Sequence, residues 1–148
     1  MREQQVLLLK KSFEKILAIR EQVTELFYDH LFLANPGLRS MFRNNMADQG
    51  EKLITTLEYV ISHFKLLPNG DYQLEHSLKK SLMNLGNDHK VVYGVKSAHY
   101  NKLEDSLLWT LELALGSDFT VEVRQSWREA YSEIVKYMIE GANAETSS

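Results

Sequence analysis

His89 stands four residues after Leu85, and Leu74, Leu78, Leu82 and Leu85 precede it at spacings of four, four and three. On a helix those positions share one face, so the imidazole takes the next slot on a row of leucines. Gln49 stands in the same relation to Leu53, Leu57 and Val60. Polar groups on apolar faces are costly unless partnered. An imidazole and an amide facing each other from two helices would bound a slot lined by leucines, and Tyr28 could add a phenol to it. Such a slot suits a flat apolar ligand carrying one metal. Neutral imidazole binds iron, so haem answers to that description. Each residue also has an ordinary reading. A histidine near a helix end is commonly exposed or hydrogen-bonded to a carbonyl. A glutamine near a helix start is commonly solvated, and a tyrosine is commonly core with its hydroxyl satisfied. Spacing alone leaves both readings open.

Other chemistries find less support. The chain has no cysteine, which removes disulfides, thiolate metal sites, cysteine nucleophiles and thioether-linked haem. No HExxH, GxSxG, Walker or dinucleotide fingerprint occurs. Asp71 with Glu75, and Glu104 with Asp105, read as solvated helix ends rather than acid/base pairs. His63, His76 and His99 lack a second metal-ligating residue at a suitable spacing; His76 and His99 are the alternatives to His89 as a ligand. The net charge is −3 and the sequence pI about 6.0, with Lys and Arg scattered, so no nucleic-acid partner is expected. The charged N-terminus MREQQVLLLKKSFEKIL has no signal-peptide core, and no run approaches the ~18 apolar residues of a membrane span. A soluble cytoplasmic protein is expected.

The elements that must position these residues are helical. At 148 residues, with 44% hydrophobic and 25% charged, the chain suits one domain with one core. Leu9, Phe13, Ile16 and Leu17 mark a first helix; Val23, Leu26, Phe27, His30 and Leu31 a second, stopped before Asn35-Pro36. Leu38, Met41 and Phe42 fit a short turn, and residues 44–48 a connection. A third helix runs from Gln49 to about Leu67, where Pro68-Asn69-Gly70-Asp71 is turn chemistry. The next carries Leu74 through His89 and ends at Gly94. Leu103 to Leu115 mark another, ending at Gly116. Thr120 can cap the last, whose buried stripe is Val123, Trp127, Ala130, Tyr131, Ile134 and Met138. No alternating run competes, so the expected fold class is all-α: one domain over residues 1–141, then a flexible polar tail, 142–148.

The order of these segments is more specific than any one of them. FYDHLFLANPGLRSMF, MADQGEKL, LGNDHKVVYGVKSAHY, LLWTLELALGSDFTVEVRQSW and REAY each resemble, in sequence, segments of the globin family. The resemblance is to bacterial single-domain haemoglobins and to the globin module of flavohaemoglobins, and covers Leu7 to Met138. Neuroglobin-like sequences share the histidine–glycine–valine region, usually with a distal histidine where Gln49 stands. The resemblance implies a globin fold enclosing non-covalent haem b. It makes His89 the proximal iron ligand and Phe42 the ring packed on the haem face. Gln49 and Leu53 become distal residues, as does Tyr28 from the preceding helix. Leu85 is the leucine one turn before the ligand, and Val95 and Tyr100 line the proximal edge.

Three departures stand out. Between Gln49 and His89 lie 39 residues, several more than in such relatives, with the excess around LLPNGDYQ. The stretch from His89 to Tyr100 is about one residue longer than usual. Where flavohaemoglobins carry a glutamate that polarises the proximal histidine stands Ala142, with Glu140 two residues away.

The resemblance therefore implies reversible, tight binding of dioxygen in a polar distal pocket, with Tyr28 and Gln49 as hydrogen-bond donors and the ferrous iron five-coordinate. Nitric oxide and carbon monoxide are the other expected ligands. Nitric oxide dioxygenation would need an external reductase, so enzyme activity stays open. The alternatives are a gas sensor or oxygen-storage protein acting through a partner, and a haem-free globin-fold signalling module. A monomer or weak homodimer is expected.

Overall fold

Two prolines and a handful of glycines cut the helical pattern close to where the sequence places the breaks. The computed structural model describes residues 1–42 and 45–146, with residues 91–93 and 144–146 described by their backbone alone. Helix α1 (Glu3–Ala18) is followed directly by α2 (Arg20–Ala34), which ends before Pro36. Proline at the first position then opens a 3-10 turn, Pro36–Met41. The expected connection 44–48 is shortened. Asn45 caps α3 (Met46–Ser62), its side chain accepting from the Ala47 amide at 2.8 Å, and Asn44 lies outside the described residues.

Helix α3 stops five residues before Leu67. Ser62 Oγ donates to the Tyr59 carbonyl at 2.9 Å, and His63 Nδ1 donates to the same oxygen at 2.6 Å, so side chains take over the last turn. The chain then forms an antiparallel hairpin, β1 (Phe64–Leu66) and β2 (Tyr72–Leu74), in register Phe64 to Leu74 and Leu66 to Tyr72. Pro68, Asn69 and Gly70, the last at φ 91°, make the turn, and the Leu67 amide donates to the Asp71 carbonyl at 2.7 Å. The surplus around LLPNGDYQ is thus paired strand, where the sequence suggested helix running into a loop. Met1 lies alongside: its amine donates to the Tyr72 carbonyl at 2.8 Å, and the Tyr72 amide donates back to the Met1 carbonyl at 2.6 Å.

Leu74 therefore ends a strand rather than starting a helix, and α4 (His76–Tyr93) follows. Gly94, at φ 70°, caps it in the left-handed conformation. Helix α5 (Ser97–Leu115) ends at Gly116, and Thr120 Oγ1 accepts from the Val123 amide at 3.2 Å as α6 (Val121–Thr146) begins. The expected boundary at 142 falls inside α6, which continues to Thr146; residues 147–148 lie outside the described residues.

One core joins all six helices. Leu9, Phe13 and Ile16 of α1 meet Trp127 of α6, whose Nε1 donates to Ser12 Oγ at 2.9 Å, so the buried indole N–H is satisfied. The expected α6 stripe is buried from Val123 to Met138, with Tyr131 half-buried. Helix α4 lies on α6 at unusually close range. A Cβ placed on Gly86 would overlap the Met138 carbonyl, and one on Gly141 the Met83 carbonyl. Two glycines let these backbones touch where side chains normally hold helices about 8–10 Å apart.

Candidate functional site

Helices α2 and α3 cross where Gly50 meets Thr24, with room for no side chain on the glycine: a Cβ there would sit 2.9 Å from the Thr24 side chain. The crossing sets Gln49 beside Tyr28, whose hydroxyl donates to the Gln49 backbone carbonyl over a long 3.3 Å. Burial pushes the Tyr28 phenol up to about 12, so it stays neutral and able to donate at any physiological pH. Around it gather Phe27, Phe32 and Phe42, with ring centroids 5.0, 5.9 and 5.6 Å from the tyrosine. Phe32 meets Phe42 edge-on at 5.2 Å, and the Arg39 guanidinium lies over Phe32 while donating to the Phe42 carbonyl at 3.0 Å. Gln49, Leu53 and Phe42 are each half-buried. Of the expected distal residues, Tyr28, Phe42 and Gln49 come together here.

His89 sits in the last two turns of α4, half-buried, with Nδ1 2.8 Å from the Leu85 carbonyl. A carbonyl only accepts, so Nδ1 carries the proton and the Nε2 atom of the neutral ring carries the lone pair. Burial lowers the imidazole pKa; the Leu85 carbonyl and Asp88 pull the other way without cancelling it. The ring is neutral at pH 7, the form that binds a metal. Its backbone is fixed as well, since the Val95 amide donates to the His89 carbonyl at 3.0 Å. His76 opens α4 and His99 opens α5, and both are exposed or only lightly covered.

Val95 and Tyr100 also come together, in a cavity of about 360 Å³ whose wall includes Gly86, Lys90 and Ile139. His89 is not among the residues lining it. Gly86 and Lys90 each follow Leu85 and His89 by one residue, which turns them about 100° round the helix. Between His89 and Tyr100, the segment Gly94–Lys96 separates α4 from α5. Opposite α4, Glu140 is exposed, and the Ala142 carbonyl accepts from Lys90 Nζ at 3.3 Å.

Sequence reasoning passed over Phe32, although its place four residues after Tyr28 puts both on one helix face. It also passed over Gly86 and Gly141 as contact residues, though glycine within a helical pattern signals close backbone approach. Lys90 offered no signal, because a solvated lysine and one reaching a carbonyl of a neighbouring helix read alike.

The donor set fits haem. Among the described residues no group of three or more His, Cys, Asp or Glu converges to hold a bare ion. A single neutral imidazole serves a metal that brings its other ligands with it, and a half-buried Phe42 supplies a ring for a flat macrocycle to lie against.

Comparison with known proteins agrees. The globin family model matches residues 25–138, and the chain belongs to that family. Neuroglobin-1 of Oncorhynchus mykiss is 26% identical over 148 residues, covering 90% of this chain and 87% of the relative. Neuroglobin of Danio rerio is 29% identical over 140 residues, with the same coverage. Neuroglobin of Tetraodon nigroviridis is 34% identical over 90 residues, 61% of this chain and 51% of that one. These relatives are fish neuroglobins, not the bacterial single-domain haemoglobins or flavohaemoglobin modules whose motifs the sequence resembles. As a globin the chain has an all-α fold and a family-wide capacity for haem and for diatomic gases such as oxygen. Among the described residues no helix is long and apolar enough to cross a membrane.

Proposed function

We propose that this globin holds haem b through His89 and binds dioxygen tightly under Tyr28 and Gln49. The observation that carries the reading is the 2.8 Å contact from His89 Nδ1 to the Leu85 carbonyl, which fixes the tautomer and aims the lone pair from Nε2. With no cysteine in the chain, attachment is non-covalent. When bound, haem supplies an iron centre for reversible coordination of oxygen, nitric oxide or carbon monoxide.

The residues supply the rest. His89 stays neutral through burial and is held in orientation by its own helix. Phe42 and Leu53 present apolar surface to the macrocycle, and Leu85 fills the turn below the ligand. Tyr28 keeps its proton and spends its hydroxyl on the Gln49 carbonyl at 3.3 Å, a weak bond readily exchanged for a better acceptor. The Gln49 amide is a second donor from the same wall. A hydrogen bond to a charged acceptor contributes about 1.5–3 kcal/mol, and each 1.4 kcal/mol is tenfold in affinity, so the pair slows oxygen release strongly.

Slow release suits redox chemistry or sensing better than bulk delivery. Nitric oxide dioxygenation, with electrons from a separate reductase, is the enzymatic form of this reading. The sensor form draws support from α4, whose contact with α6 ties the ligand-bearing helix to the C-terminal helix. Retention of both His89 and Phe42 speaks against a haem-free module.

Absorption spectra of the purified chain, oxidised, reduced and with carbon monoxide, test the assignment. The expected ferrous form is five-coordinate and converts fully on carbon monoxide addition; two sharp split bands without added ligand would contradict an open site. His89→Ala is expected to lose haem. If it holds haem as the parent does, the ligand is His76 or His99.

A further inference from the structure

The cavity behind the His89 helix has a chemistry that oxygen binding does not use. Its apolar surface comes from Val95, Tyr100 and Ile139, with the bare backbone of Gly86 as one wall. At about 360 Å³ it lies near the lower end of the ~300–1,000 Å³ typical of small-molecule pockets. Among the described residues the lining holds two cations, Lys90 and Lys96, and no carboxylate. Lys90 is half-buried and Lys96 exposed. Lys90 reaches only the Ala142 carbonyl, at 3.3 Å, an acceptor that carries no formal charge. An ammonium gains more from a carboxylate than from a neutral carbonyl.

We propose that this cavity binds a small amphiphilic carboxylate, its apolar body on Val95, Tyr100 and Ile139 and its headgroup between Lys90 and Lys96. Aliphatic stems of both lysines extend the apolar wall, while their charges select an anion. An anion without an apolar body forfeits most of the contact area, and a neutral hydrocarbon leaves the headgroup position empty. Gly86 closes the cavity on the α6 side, since its missing side chain lets the α4 backbone touch α6 at Met138. His89 is not among the lining residues, and Gly86 and Lys90 each lie about 100° round α4 from Leu85 and His89.

Isothermal titration of decanoate into the full-length protein, with and without haem, tests this, with acetate and decanol as controls. Decanoate is expected to bind saturably at one site in both forms, and both controls at least about tenfold more weakly. Lys96→Gln, at an exposed position, is expected to weaken decanoate about tenfold while leaving the haem spectrum unchanged. Ile139→Trp should abolish binding by filling the cavity; if that variant does not fold, Lys90→Gln takes its place, with an effect at least as large as that of Lys96→Gln. No saturable binding, binding indifferent to Lys96 and Lys90, or equal binding of decanol would overturn the proposal. So would displacement of decanoate by haem, since that assigns the cavity to the haem itself. The haem reading stands or falls separately, on the spectra of His89→Ala.

Discussion

The two sides of the candidate haem site are made of different material. The Tyr28 side is built from side chains: four aromatic rings, a glutamine and an arginine, fitted over a helix crossing that Gly50 and Thr24 allow. The His89 side is built from backbone, with α4 pressed on α6 through Gly86 and Gly141 and pinned at its end by Gly94. A wall of side chains can be changed residue by residue without moving its helices. A wall of backbone contacts holds one position or gives way as a unit. On the proposed reading, polarity toward a bound gas would be set on the first wall, and placement of the iron ligand on the second.

The largest test of that contrast is a methyl group. Gly141→Ala or Gly86→Ala forces α4 and α6 apart, and a loss of about 3 kcal/mol or more in urea unfolding is expected. Gly50→Ala meets the Thr24 side chain at 2.9 Å rather than a backbone carbonyl, and the helix-propensity gain of about 0.5–1 kcal/mol offsets part of the clash, so its loss should be clearly smaller than at Gly86 or Gly141. Equal losses at Gly50 and Gly86 would erase the distinction between the walls.

Next in size is Tyr28→Phe. Stopped-flow oxygen dissociation is expected to speed up about tenfold or more, with carbon monoxide release changing much less. The rings of the Tyr28 side should keep the fold intact, and an unchanged oxygen rate removes Tyr28 from the site. Smaller again is Tyr131→Phe, which leaves the Tyr100 carbonyl without the hydroxyl now 2.6 Å away and should cost about 1–2 kcal/mol.

The smallest effect is one of pH. Burial raises the Tyr28, Tyr100 and Tyr131 phenols above the ordinary value of 10, with Glu104 adding to the rise at Tyr131. A raised folded-state value means that the stabilisation is complete below pH 10 and is lost as pH climbs toward the folded values. The melting temperature should fall progressively above pH 10. Tyr131→Phe and Tyr28→Phe should each flatten that slope.

Much of this was legible in the residues. The leucine row leading to His89, the stop before Pro36, the Gly94 and Gly116 ends and the Trp127 stripe all follow from local periodicity, which one strand of text carries. The residues only allowed Tyr28 and Gln49 to share a slot, and resemblance made both distal, because a contact 21 residues apart leaves no mark in spacing. The hairpin was hidden for another reason. Three-residue strands are too short to show alternation, and Phe64, Leu66 and Leu74 fit a helical stripe equally well. Whether Val95 and Tyr100 meet haem or a separate cavity depends on helix rotation near Gly94. No sequence period encodes that.

The hairpin has a consequence for how the chain tolerates change in length. Strand pairing from Phe64 to Leu74 brings the end of α3 and the start of α4 together across their own hydrogen bonds, so residues 67–71 can be shortened or extended without shifting either helix along its axis. Lengthening such a tip adds only about 0.6 kcal/mol of closure entropy per doubling. The same insertion between Gly94 and Ser97 would rotate α5 against α4 and carry Tyr100 away from Val95. Variation between lineages, and foreign sequence added by design, belongs at the tip of the hairpin.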